Sequence, residues 1–349
     1  DGITSMLYRD HGLGKAFTSY ADYFVDNVDE EALAYLTLAN DLIHDLCPTA
    51  VTIAEDISGM PGLAAPVKEG GVGFDYRLAM GVPDFWIKIL KERRDEDWPL
   101  GDMWYELTNR RADEKSISYA ESHDQALVGD KTLILRLMGP DLYHHMHVKH
   151  ESLAVERGMA LHKLVRFITL ATAGNGYLNF MGNEFGHPDW IDFPREGNGW
   201  SYEYARRQWG LRDNPDLRFS FLGHFDHDMI ELAKTYRLLE FSFLSLITNH
   251  FDHKVLAFER GGLIFVFNFH STWSHNDYPI AANPGEYRMI MDTDALEYGG
   301  QGRLHRDQRH FAISDNRSEN VNHTLSLYLP TRTALALAPV DNGIDTERP

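Results

Sequence analysis

The sequence predicts an α/β unit of parallel strand–helix repeats followed by an all-β domain, and three observations carry that prediction. Short apolar, β-branched runs alternate with amphipathic helical stretches up to about residue 247. Beyond about residue 248 the helical period disappears, and short runs are separated by turn residues. The chain has 349 residues, 43% of them hydrophobic, which suggests about two domains with enough apolar material to bury a sizeable core.

The elements follow in order. From Glu30 to Cys47 the residues Leu33, Leu36, Ala39, Ile43 and Leu46 recur at steps of three and four. Acids occupy the first turn and Pro48 follows the last, the pattern of an amphipathic helix. Thr49 to Ala54 is too short for a helix and is bounded by Pro48 and by Glu55 and Asp56, so it reads as a buried strand. Gly70, Gly71 and Gly73 lack the lysine and leading strand of a phosphate loop, and read as a turn feeding a short strand near Phe74 to Tyr76. A helix around Met80 to Arg93, a strand at Ser116 to Ala120, a helix at Glu151 to Ala173 and a strand at Tyr177 to Met181 continue the alternation, which implies a parallel sheet. Val255 to Glu259 and Leu263 to Phe269 flank Arg260, Gly261 and Gly262, a β-hairpin around a glycine turn. Tyr287 to Met291, His310 to Ser314 and Leu325 to Leu329 are further strands. The domains are therefore 1–247, α/β, and 248–340, all-β, with 341–349 a frayed tail.

Charge narrows the partners. With 33 basic and 52 acidic residues the net charge is -19, which disfavours nucleic acid and anionic membranes as main partners and suits a neutral substrate. No apolar stretch is long and unbroken enough to span a membrane. Cys47 is the only cysteine, so no internal disulfide exists. That suits a reducing compartment, and Cys47 itself reads as a small buried filler beside Pro48. His144, His145, His147 and His150 lie close together, but without cysteines or a defined ligand pair they read as an exposed segment, and no metal or other cofactor is expected. The first residues, Asp1 to Met6, lack the basic and apolar regions of a signal peptide and do not start with methionine, so the chain reads as processed or as part of something longer.

In parallel strand–helix arrays, reactive side chains gather at the carboxyl ends of the strands. Glu55 ends the strand from Thr49, and Asp124 lies just past the strand from Ser116, preceded by Glu121, Ser122 and His123. Asp1 stands ahead of a helix, the equivalent place in a preceding unit. Any one of them alone suits a helix cap. Together they suit glycoside chemistry, where one carboxylate attacks the anomeric carbon and another protonates the leaving oxygen. Trp190, Phe193, Trp200, Tyr202, Tyr204 and Trp209 are interleaved with Asp192, Arg195 and Asn198, which offers apolar faces to sugar rings and polar groups to their hydroxyls.

Four segments, Asp1 to Tyr8 (DGITSMLY), Ile53 to Pro61 (IAEDISGMP), Tyr119 to Gly129 (YAESHDQALVG) and Phe180 to Arg195 (FMGNEFGHPDWIDFPR), resemble in order those of the 1,4-α-glucan branching enzymes of the α-amylase superfamily. The resemblance runs from Asp1 to about Val340 and is closest to the group that includes the eukaryotic starch and glycogen enzymes. Asp292 to Arg303, with its glycines, also resembles the family's carboxyl-terminal β-domain. The resemblance implies the second half of a (β/α)8 TIM barrel followed by an all-β sandwich. It implies that Asp1 is the nucleophile, Glu55 the general acid/base and Asp124 the stabilising acid. His123 would bind ring hydroxyls of the donor glucose, and the loop carrying Trp190, Asp192 and Trp200 would serve the acceptor side. In this retaining scheme Asp1 stays ionised and Glu55 carries a proton, the two carboxyl groups lying about 5 to 5.5 Å apart. The 6-hydroxyl of another glucan chain then takes the place of water, and an α-1,4 link becomes an α-1,6 branch in glycogen or starch.

Family members also carry an arginine two residues before the nucleophile and four earlier barrel strands, which contribute a tyrosine and a histidine to the donor site. None is present in this sequence, which implies a carboxyl-terminal part that is inactive alone, because half a barrel leaves an open edge. The expected setting is a monomer in the cytoplasm, or in a plastid if the source is a plant, acting on amylose, glycogen or amylopectin. Two rivals share these residues: an α-amylase-like hydrolase using the same acids, and a glucan-binding fragment without catalysis.

Overall fold

The computed structural model describes residues 2–13, 16–124, 131–189, 191–315 and 322–340. Four strands, β1 (Ile53–Ala54), β2 (Tyr76–Leu78), β3 (Ser116–Ser118) and β4 (Gly176–Tyr177), form one parallel sheet in the order β1-β2-β3-β4. β1, β3 and β4 are each shorter than the apolar run that predicted them. Pairing takes in the end of the run to Ala54, the start of the run from Ser116 and only Tyr177 of the run to Met181, and the residues beyond Ala54 and Ser118 leave the ladder to build the loops above it. β2 sits slightly later than Phe74 to Tyr76, because the Asp75 carboxylate turns back to accept from the Thr52 amide at 2.7 Å and to meet His44 at 2.9 Å.

The helices of six residues or more among the described residues are α1 (Glu30–Leu46), α2 (Gly81–Glu92), α3 (Leu100–Thr108), α4 (Leu133–Met138), α5 (Leu153–Ala171) and α6 (Phe219–Thr235). Asp29 caps α1 by accepting from the amides of Glu31 and Ala32, and Ser152 caps α5 by accepting from Val155. α5 is buried on nearly all sides, so it runs through the centre of the main core rather than over a surface. Its Thr169 hydroxyl accepts from the Trp86 indole at 2.9 Å, which locks α2 against it. Inside the sheet the buried Arg77 pairs with Asp56 at 3.3 Å and with Glu114 at 3.2 Å, so a charge in the interior is compensated on both sides.

The remaining strands are β5 (Ser245–His250), β6 (Val255–Arg260), β7 (Leu263–Asn268), β8 (His275–Ala281), β9 (Gly285–Asp292), β10 (Arg309–Asp315), β11 (Asn322–Leu329) and β12 (Thr333–Pro339). They form a single antiparallel sheet, ordered β5-β6-β7-β12-β9-β10-β11-β8. A sandwich of two separate sheets is thus corrected to one sheet that curls until its end strands β5 and β8 meet around Val266, Ile280, Leu327 and Leu337. Its outer face packs on the α/β unit: Phe265 and Phe267 lie 5.7 and 5.6 Å from the ring of Phe167 on α5. β7 is therefore buried along its whole length, which its continuous apolar run allows.

Three strands were not foreseen. β5 begins at Ser245, ahead of the expected boundary at 248. β8 contains Pro279, and the alternating small residues of β12 hide its burial. Arg260 belongs to β6 rather than to the turn. Gly261 and Gly262, both at positive φ, form the turn alone, with Arg260 paired to Leu263. The buried Arg260 guanidinium donates to the carbonyls of Ala171, Gly174 and Phe241 at 2.9 to 3.0 Å, closing the carboxyl end of α5.

Cys47 is exposed, not buried: it stands one residue past α1, whose outer side, with Leu38, Leu42 and Leu46, is also uncovered. His144 and His150 are exposed and the others of that cluster less so. Among the described residues no group of three His, Cys, Asp or Glu could hold a metal. No described helix is long and apolar enough to cross a membrane. The segment 341–349 lies outside the described residues.

Candidate functional site

The loops leaving the carboxyl ends of the four parallel strands converge on one face. Glu55 follows β1 directly, and its Oε2 accepts from the Gly2 amide at 2.9 Å, while the Ile3 amide donates to its carbonyl at 3.0 Å. The start of the described chain is thereby tied to the end of β1. The tie is reinforced where the Thr4 hydroxyl donates to the buried Asp56 carboxylate at 2.6 Å. Asp1 and Trp190 lie outside the described residues, and with Asp1 so does the expected spacing between its carboxyl group and that of Glu55.

Six residues beyond β3, Asp124 is half-buried, and its Oδ1 lies 3.1 Å from Nε2 of His123. The His123 ring lies 5.8 Å from the ring of Phe180, which follows β4, and 6.4 Å from that of Phe193. Beneath them the fully buried Tyr119 joins the strands electrostatically. Its phenol is pushed up, first by burial and then by the negative charges of Glu55, Asp124 and Asp84. Asp84, in the first turn of α2, is itself pushed up by burial and then by Asp124. The charges of Glu55, Asp84 and Asp124 thus all bear on one phenol.

The aromatic loop is built on His187, which is buried at its base. Nε2 of His187 accepts from the Gln208 amide at 3.0 Å, and its Nδ1 lies 3.1 Å from the Arg207 guanidinium and 3.2 Å from both the amide and the carbonyl of Asp189. Burial pushes this imidazole down and so favours its neutral form. At the far end Asp192 takes both Arg195, at 2.9 Å, and the Asn198 amide, at 3.1 Å. These hydrogen bonds hold its carboxyl below the usual range. Asp192 thus shapes the loop with the carboxylate expected to meet sugar. Gly199 and Trp200 both adopt positive φ, and this double left-handed step leaves the Trp200 indole 66% exposed. Phe193, Tyr202, Tyr204 and Trp209 are exposed beside it.

Reasoning from sequence missed Tyr119, Asp84 and Glu121. Tyr119 reads as the apolar end of a strand, and Asp84 as an ordinary acid in a first helical turn. Glu121 is buried, with Oε2 accepting from the Leu133 amide at 2.9 Å, across the chain segment that carries His123 and Asp124. Its Oε1 has no hydrogen bond, and burial pushes the carboxyl up to about 7 against the opposing pull of Arg166 and Arg207. The one sequence signal for Glu121 is its place two residues before His123.

Residues 247–340 match the family described as alpha amylase, C-terminal all-beta domain. A 1,4-alpha-glucan-branching enzyme from Felis catus is 52% identical over 344 residues, which is 98% of this chain and 49% of that protein. The chain is a relative of the 1,4-alpha-glucan-branching enzymes. A branching enzyme named as chloroplastic/amyloplastic, from Pisum sativum, is 48% identical across 98% of the chain and 43% of its own length. The chain thus spans about half the length of the branching enzymes it matches. The crystal structure of an alpha-amylase from H.orenii superposes with a TM-score of 0.51 over 89% of this chain and 57% of that one. At 14% identity it shows a shared fold alone.

Proposed function

We propose that this chain supplies the second half of a (β/α)8 barrel and the carboxyl-terminal β-domain of a retaining 1,4-α-glucan branching enzyme. The observation that carries the reading is the convergence of Glu55, His123 and Asp124 at the carboxyl ends of parallel strands of one sheet, in a chain about half identical to branching enzymes. The open sheet supports the barrel: among the described residues β1 and β4 each have a strand partner on one side only, and Ile53 on β1 is exposed. Closure by further strands would bury that edge and complete the donor pocket, so the chain by itself is expected to be inactive.

In the proposed reaction Asp1 attacks the anomeric carbon of an α-1,4-linked glucose while Glu55 gives its proton to the departing glycosidic oxygen. Asp124 stabilises positive charge developing on the ring, and His123, positioned against Asp124, donates to a ring hydroxyl. In the second half-reaction the deprotonated Glu55 accepts the proton of an incoming 6-hydroxyl, whose oxygen attacks the glycosyl carbon and releases Asp1. The exposed platform of Phe193, Trp200 and Tyr202 would hold that acceptor chain in place of water. Acid, base and nucleophile are all carboxyl groups of the chain.

The test is to incubate amylose with the protein in the longest form its gene encodes and to quantify new linkages by proton NMR. New α-1,6 signals at a constant number of reducing ends are expected. Rising reducing ends without new branches would make it a hydrolase.

A further inference from the structure

A cleft of about 750 Å³ lies between α6 and the curled sheet, built from residues none of which belongs to the carboxylate site or to the aromatic loop. Its helical wall is the stripe Asp228, Glu231, Leu232 and Thr235, spaced at three, four and seven residues along α6. Its sheet wall is the alternate face of β9, with Glu286, Arg288 and Ile290. Leu232, Met291 and Tyr298, all buried, form an apolar floor.

The charges around this cleft are largely spent on one another. Glu286 pairs with Arg309 at 2.9 Å, Glu297 with Arg306 at 3.1 Å, and Glu231 with Lys234 at 2.6 Å. The Tyr298 hydroxyl donates to Asp228 at 2.7 Å, and His227 meets the other oxygen of that carboxylate at 2.9 Å. Paired in this way, the groups create no strong potential of one sign, so an ionic ligand gains little by entering. Each pair still leaves carboxylate lone pairs and guanidinium N–H groups along the rim, and charge-assisted hydrogen bonds from these suit hydroxyls of either polarity. An apolar floor under a rim of mixed donors and acceptors, in a cavity of this size, fits a neutral, polyhydroxylated ligand.

We propose that the cleft between α6 and β9 is a second binding site, separate from the carboxylate site, that holds a segment of neutral α-1,4-glucan. The neutral polyol class follows from the lining; the choice of glucan rests on the function proposed above. Such a site would hold a distant stretch of the polymer and raise the local concentration of chain ends near the reacting carboxylates.

Hydrogen–deuterium exchange of the protein in the longest form its gene encodes, with and without maltoheptaose, tests this. Residues 228–236 and 286–291 are expected to gain protection with added maltoheptaose, and Arg288→Ala and Glu231→Ala, both surface changes, are each expected to weaken the affinity read there by about fivefold or more. Trp200→Ala is expected to leave it unchanged. Far-ultraviolet circular dichroism checks that both cleft variants remain folded. No protection in these segments, or protection insensitive to both variants, overturns the proposal, as does inorganic phosphate producing the same protection. Protection confined to 191–209 would sink the cleft and keep the functional reading. Protection confined to the cleft would keep the cleft and count against the acceptor platform.

Discussion

Tyr119 shows how much of the site depends on a residue that carries no charge at neutral pH. Its ring is fully buried, and an ionised phenol there would meet burial and the charges of Glu55, Asp124 and Asp84 together. Glu121 is the complementary case of a carboxyl that is buried with one oxygen unpartnered. Its ordinary value is 4.5 and the folded protein raises it to about 7, so the folded state holds the proton more tightly than the unfolded chain does. The associated stabilisation is fully present below about 4.5 and disappears as pH rises through about 7. Glu121→Gln removes that titration. Thermal unfolding should show the variant gaining on the parent between pH 5 and pH 8, by about 1 to 3 kcal/mol at the upper end. A constant difference across that range would contradict the assignment. On the aromatic loop, Trp200→Ala should weaken maltoheptaose binding at 191–209 about tenfold without shifting the melting temperature, because the indole packs on little of the protein. Glu55 and Asp124 stand out in the sequence because they follow strands, and His123 stands out only through the resemblance. Tyr119 and Glu121 do not, because what distinguishes them is burial against residues distant in the chain.

At the scale of elements, the helices were legible where one face alone is apolar, as in α1, whose ends the acids of its first turn and Pro48 place within a residue or so. The strands of the parallel sheet were legible as runs but not as lengths, since only pairing decides how much of Thr49 to Ala54 is a strand. β12 was missed because alternating alanine and leucine satisfy either period, and β8 because its exposed face is polar and holds a proline. The junction between the two units rests on rings: Phe258, Phe265 and Phe267 stack along the outer face of the curled sheet and meet Phe167. Phe267→Ala should therefore cost about 3 to 5 kcal/mol in urea unfolding, since a buried aromatic leaves a cavity that two rigid layers cannot close. Retention of most of the stability would mean that the two units unfold independently.

Across the whole molecule, one apolar stripe flanks the open edge of the parallel sheet. Leu38, Leu42 and Leu46 on α1, with Val51 and Ile53 beside β1, are exposed together at the edge where the sheet stays open. A face of that kind is unusual for a protein surface and marks a contact. The chain alone should bind a hydrophobic dye and self-associate in sedimentation, and Leu42→Lys with Leu46→Lys should reduce both. A strictly monomeric, dye-silent chain would show the face to be harmless. The net charge of -19 leaves an uncharged polymer as the partner least repelled. The central claim is that Glu55 supplies the proton for α-1,4 cleavage and takes it back from the 6-hydroxyl. Its most direct test is the rate of α-1,6 linkage formation on amylose by the full-length protein and by its Glu55→Gln variant, with amylose affinity measured in parallel. The account predicts a rate lower by about a thousandfold at nearly unchanged affinity; branch formation by Glu55→Gln at the parental rate would contradict it.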